Sequence, residues 1–299
     1  MPSKKEIKGH INSVRETQKI TSAMYLIASN KMTKAKKEWH ETSPYFSALR
    51  NEISRMFMYV DDSSSPFLER PNRREHPEET YGMLVITSDK GLAGSYNKDV
   101  IAEAHKLAEA HPNIKTYMVG EFGRQYCLSN KIPFEERDFF IGKHPTLGRA
   151  RRMSNLLFDE FLQGKLKRIY LVYTDYKNGM KVEARTEQVL PLPAKRFHLH
   201  GRDVTKESKY EFLSPVEKVL ENIIPSYLTG YIYSALVDSF FSEQSDRMMA
   251  MDASNENAQK LLDQLGLEYN HVRQDSITQE ITEISAAAKA QEQNGISGR

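Results

Sequence analysis

The sequence predicts two very long terminal helices with a small, mostly parallel α/β domain between them. Three observations predict it. An apolar stripe repeats about every 3.5 residues near each end of the chain. Strands and helices alternate through the middle. The two stripe-bearing segments carry opposite net charge.

Alternate steps of four and three from Ile7 reach Ile11, Val14, Gln18, Thr21, Tyr25, Ala28, Met32, Ala35, Trp39, Thr42, Phe46, Leu49, Ile53, Met56 and Val60. Thirteen of these sixteen positions are apolar or aromatic, so the segment reads as one strand of a coiled coil. Its length would be roughly 80 Å. Pro44 should bend or interrupt it, because proline lacks the N–H and crowds the preceding turn. Residues 61–80 hold three prolines, a serine run and many charges, which predicts a linker.

A short buried strand follows over 81–87, then the loop Ser88-Asp89-Lys90-Gly91-Leu92-Ala93-Gly94-Ser95-Tyr96-Asn97 and a helix over 97–111. Residues 114–119 predict a second strand, 121–130 a short helix, and 134–141 a candidate strand. Thr146 can cap a helix that Gly164 stops. A strand over 168–174 then turns at Asn178-Gly179 into 181–190, an antiparallel edge.

The last helix starts at a capping box, Ser214-Pro215-Val216-Glu217. From Val237 the same steps reach Phe241, Gln244, Met248, Met251, Asn255, Ala258, Leu262, Leu265, Tyr269 and Val272, and nine of these eleven are apolar or aromatic. The stripe then shifts to Ile277, Ile281 and Ile284. Pro225 predicts a kink near the start, and the last residues should fray. The chain thus divides into helix 1–60, linker 61–80, α/β domain 81–195, connector 196–212, helix 213–290 and tail 291–299.

Residues 4–37 carry nine bases against two acids; residues 238–283 carry ten acids against three bases. Opposite charge beside two apolar seams predicts that the terminal helices pair with each other, antiparallel. The second helix is the longer, so its end should project as a single helix.

Chemistry is sparse. The loop over 88–97 lies where phosphate loops sit in α/β folds, yet it matches neither common glycine-rich pattern. The pair His198 and His200 has no nearby cysteine to complete a zinc set. No acid–base pair is placed together by the sequence, so no cofactor, metal or catalytic residue is expected. The lone Cys127 rules out a disulfide within the chain and reads as core filler. No run of 18 apolar residues occurs, which predicts no membrane-spanning helix. From the residues alone, a stand-alone α/β nucleotide enzyme with helical arms and a coiled-coil scaffold or nucleic-acid binder stay open.

Five stretches carry a resemblance. They are 17–24 (TQKITSAM), 28–35 (ASNKMTKA), 88–97 (SDKGLAGSYN), 242–252 (SEQSDRMMAMD) and 273–284 (RQDSITQEITEI). In order and position they resemble the γ-subunit family of F-type ATP synthases. That resemblance implies an antiparallel coiled coil with a Rossmann-like α/β domain inserted, and a non-catalytic shaft inside a hexamer of three alpha and three beta subunits. It implies further partners in a ring of c subunits and an epsilon subunit, and a peripheral place on the cytoplasmic face of a bacterial-type membrane. It implies that Met24 and Lys31 meet one loop of a beta subunit, that Glu243, Arg247, Gln274, Thr278 and Glu280 face a second, and that Tyr210 and Phe212 form the foot on the c ring and epsilon subunit.

Overall fold

The computed structural model describes residues 3–57, 66–69, 78–137, 144–177, 181–193 and 216–296. Most of the predicted linker, the Asn178-Gly179 turn, the connector, the Ser214-Pro215 cap, Tyr210 and Phe212 lie outside the described residues. The elements are α1 (Lys4–Phe57), β1 (Tyr81–Ile86), α2 (Tyr96–Ala110), β2 (Ile114–Val119), α3 (Glu121–Asn130), α4 (Leu147–Leu162), β3 (Arg168–Lys177), β4 (Lys181–Leu190) and α5 (Val216–Ile296). They fall into two units: a helical unit of Met1–Ile27 with Met248–Arg299, and a sheet unit of Ala28–Arg247.

The sheet has the order β2-β1-β3-β4. β1 runs parallel to β2 and to β3, and β4 closes the edge antiparallel to β3. All six residues of β1 are buried, as a central strand covered on both faces requires. Their side chains alternate between two cores. Leu84 and Ile86 face Met153, Leu157, Leu228 and Ile232 from α4 and α5, while Met83 and Val85 face Tyr96 and Val100 of α2 and Cys127 of α3. Cys127 is thus core filler, and burial raises its thiol pKa.

Thr146 caps α4 as its residue type predicts, its hydroxyl accepting from the Arg149 N–H at 3.3 Å. The candidate strand over 134–141 is not a strand where it is described. Only Glu135 makes a bridge, to Tyr117 on the open edge of β2, and Pro133 just before it has no N–H to extend the ladder.

Both helical prolines are absorbed. α1 runs through Pro44 and α5 through Pro225 without interruption. Pro44 does not interrupt α1, and Trp39, Phe46, Leu49 and Ile53 pack on the core on either side of it. One lost N–H bond costs about 3 kcal/mol, which burial of two or three such side chains offsets. Around Pro225, Leu220, Ile224, Tyr227 and Leu228 are buried, and the Pro225 carbonyl accepts from the Thr229 and Ser154 hydroxyls. α5 also continues to Ile296 where fraying was expected; four alanines, Ala286, Ala287, Ala288 and Ala290, favour the helix there.

Burial follows the predicted stripes residue by residue. Every stripe position from Ile7 to Ile53, and from Val237 to Val272, is buried or half-buried. From Arg273 to Ala288 every side chain is exposed. In the helical unit the Lys4 ammonium lies 6.0 Å from the Tyr269 ring, Gln18 donates to Gln259 at 3.4 Å, and Thr21 and Ser22 meet the Asn255 amide oxygen. The α5 residue number falls as the α1 number rises.

Candidate functional site

The loop after β1 is where an α/β sheet of this order would hold a phosphate. Here it is closed on itself. The Ser88 N–H donates to Asn97 Oδ1 at 3.0 Å, Asn97 Nδ2 donates to Ser88 Oγ at 2.8 Å, and Ser88 Oγ donates to the Lys90 carbonyl at 2.7 Å. Leu92 and Gly94 both take positive φ, 62° and 55°, in a tight turn whose Lys90 and Gly91 carbonyls face α5. Arg247 of α5 receives them: its Nη2 donates to Lys90 O at 3.0 Å and to Gly91 O at 3.1 Å. Its other terminal nitrogen donates to Glu243 Oε1 at 2.6 Å, one helical turn back.

Both side chains of that pair are largely inaccessible, at 8% and 14% exposure. Burial raises the Glu243 pKa, and Arg247 beside it works in the opposite direction. Lys31 of α1 also lowers it, so Lys31, Glu243 and Arg247 share one electrostatic neighbourhood in the sheet unit. Asp246 is pushed up to about 6 by burial and by the charge of Asp99. Asp99 stands in the first turn of α2, where a bound anion would otherwise sit. The loop therefore offers carbonyls to a cation of its own chain rather than N–H groups to a phosphate. Among the described residues, no group of three or more His, Cys, Asp and Glu side chains is placed to hold a metal ion.

The other candidate residues are on the surface of the helical unit. Met24 is half-buried beside exposed Ile20, Leu26 and Ile27. Gln274, Thr278 and Glu280 are exposed on the stretch of α5 beyond Val272, among exposed Ile277, Ile281 and Ile284. Tyr210 and Phe212 cannot be located, being outside the described residues. Sequence reasoning named Glu243 and Arg247 only as residues that the resemblance sets toward a second beta-subunit loop, and it missed Lys90 and Gly91. Those acceptors are backbone atoms some 156 residues away, and no residue type signals them.

Residues 3–291 match the family model described as ATP synthase. The chain is 34% identical over 294 residues to the ATP synthase gamma chain of Caldanaerobacter subterraneus subsp. tengcongensis, covering 95% of this chain and 99% of that one. It is 37% identical over 290 residues to the ATP synthase gamma chain of Clostridium perfringens, covering 96% and 97%. In fold it is similar to a chain of the Euglena gracilis mitochondrial ATP synthase OSCP/F1/c-ring structure in rotational state 3, with a TM-score of 0.59 at 14% identity over 95% of each chain. It is also similar to a chain of the Tetrahymena thermophila mitochondrial ATP synthase central stalk and c ring, with a TM-score of 0.56 at 20% identity over 78% and 98%.

Proposed function

This chain belongs to the ATP synthase gamma chain family, and from that membership we propose that it is the rotating central stalk of an F-type ATP synthase, itself non-catalytic. The observation that carries the reading is the extent of the match, from residue 3 to residue 291, both terminal helices included.

The working parts follow from the physics of a shaft. The two terminal helices form an antiparallel coiled coil, with the sheet unit as a Rossmann-like insertion. Support comes from the stripe burial and from the falling order of the α5 partners of Lys4, Gln18 and Thr21. The shaft turns inside a hexamer of three alpha and three beta subunits, driven by a c ring below and accompanied by an epsilon subunit. It therefore sits peripherally on the cytoplasmic face of the membrane; among the described residues no helix is long and apolar enough to cross one.

A rotor must touch three equivalent sites in turn and hold none of them tightly. The exposed stretch of α5 beyond Val272 suits that demand, with isolated isoleucines set among Gln274, Thr278 and Glu280. Met24 and Lys31 push one beta-subunit loop, and Gln274, Thr278 and Glu280 engage a second. Glu243 and Arg247 reach that second loop by exchanging the Lys90 and Gly91 carbonyls for an acceptor on the beta subunit. Tyr210 and Phe212 form the foot.

The test is co-expression with alpha and beta subunits of a clostridial relative, followed by sizing and ATPase assay. A stable assembly with one copy of this chain per hexamer, and ATP hydrolysis stimulated over the hexamer alone, is expected. A chain that elutes apart from the hexamer, or turns over a nucleotide unaided, would refute the reading.

A further inference from the structure

A cleft of about 380 Å³ opens within the sheet unit, between α1, the β3–β4 edge and α5. Six aromatic rings line it: Trp39, Phe46, Tyr173, Tyr227, Tyr231 and Tyr233. At its back sits a network centred on Arg185. One guanidinium nitrogen is 2.9 Å from Asp175 and 2.8 Å from the Tyr173 hydroxyl, and the other is 3.2 Å from Glu187. Glu187 also accepts from the Tyr231 hydroxyl.

Both terminal nitrogens of Arg185 are thus taken by Asp175, Tyr173 and Glu187, its buried Nε has no hydrogen-bond partner among the described residues, and a further carboxylate lies in the cleft. Asp238 lines the same space beside Ser234, which lowers its pKa. Among the described residues no ion pair within 4 Å reaches it. Burial and the charge of Asp175 push its pKa up to about 7. Arg185 attracts the Asp238 carboxylate, but burial and Asp175 outweigh it, so its ionised form stays costly, and a ring face attracts a cation electrostatically. The two features point to one kind of occupant.

We propose that this cleft binds a small organic cation, an ammonium group on a compact apolar body, with Asp238 as its counter-ion and the ring faces as its cage. The charges around the space favour that sign. Asp238, Glu187 and Asp175 face Arg185 and Arg50, and Glu38 and Glu41 add negative charge beside Tyr233. Volume and shape favour a ligand about the size of one substituted ring. Such a ligand touches α1, β4 and α5 at once and would brace them.

Trp39 is the chain's sole tryptophan and lines the cleft, so the full chain reports binding by its own emission. The probe is benzyltrimethylammonium, compared with benzyl alcohol and phenylacetate. A saturable change in Trp39 emission is expected at concentrations up to about 10 mM, with affinity for the cation roughly ten-fold above that for either control. It should strengthen as pH rises through about 7, as Asp238 ionises. Asp238→Asn should bring the cation down to the level of benzyl alcohol with the fold intact by circular dichroism. Ser43→Leu, which fills the cleft from α1, should abolish the response to all three probes. Equal affinity for cation and controls, indifference to Asp238→Asn, or no saturable response would overturn the proposal.

Discussion

Replacing Arg247 with methionine keeps the length and helix preference of the side chain and removes its three donated bonds, at 2.6, 3.0 and 3.1 Å. Each hydrogen bond to or from a charged group contributes about 1.5–3 kcal/mol net. Stranding Glu243 as a buried carboxylate costs about 3–5 kcal/mol by itself. These contributions overlap rather than add, so the sheet unit should lose about 3–5 kcal/mol. For a domain of about two hundred residues that lowers the melting temperature by roughly 10 °C. The measurement is thermal unfolding of the full chain by circular dichroism, with amide exchange of residues 89–95 as the local reading. Exchange there should accelerate, because the Arg247 bonds that hold the loop are gone.

pH supplies the control. The Glu243 pKa is already raised by burial, and Arg247 opposes the rise, so the variant's Glu243 moves further up. A carboxyl whose folded pKa lies above its unfolded value stabilises at low pH, and that stability is lost as pH rises through the folded pKa. The deficit of Arg247→Met against the parent should therefore be largest near pH 8 and shrink toward about pH 5. Glu243→Gln in the same chain should recover most of it. A melting temperature within about 1 °C of the parent, or a deficit that neither pH nor Glu243→Gln alters, would refute the buried-pair account.

Four further outcomes are expected. Asp238→Asn should stabilise the chain near pH 8 by up to about 4 kcal/mol, since a carboxyl held at about 7 rather than 3.8 forfeits that much once ionised; the gain should vanish near pH 4 in denaturant titrations. Gly230→Ala would drive its methyl into the Phe46 ring and should cost about 1–3 kcal/mol, partly restored by Phe46→Leu, as read by urea unfolding. Ending the chain after Val272 removes side chains that are exposed from Arg273 to Ala288, so the melting temperature should move by no more than about 1 °C while coupling in the assembled enzyme falls. Met24→Lys should lower ATP-driven proton pumping more than nucleotide binding, as measured on reconstituted vesicles.

The buried stripe of each terminal helix was legible because its period is long and regular. Fourteen successive stripe positions on α1, from Ile7 to Ile53, are the positions the structure buries or half-buries. The charge argument carried less. Nine bases and ten acids lie beside the two stripes, yet Lys34 pairs with Glu38 and Arg247 with Glu243, each within its own helix. The close polar contacts across the helical unit are neutral ones, Gln18 with Gln259 and Thr21 with Asn255. Exposed lysines lose side-chain entropy for little gain when they pair, whereas a half-buried amide or hydroxyl must find a partner.

What the sequence determined alone was periodicity: which residues face inward along each helix, where strands alternate with helices, and where the inward stripe of α5 stops at Val272. These depend on spacing within a few turns, and spacing is local. Only the tertiary structure decided which parts of the chain would share a site. The Lys90 and Gly91 carbonyls meet Arg247, and Asp175, Arg185 and Asp238 meet around one cleft, because the packing of α5 on the sheet brings them together. A backbone carbonyl has no residue-type signature, and a carboxylate's surroundings exist only once the layers have closed.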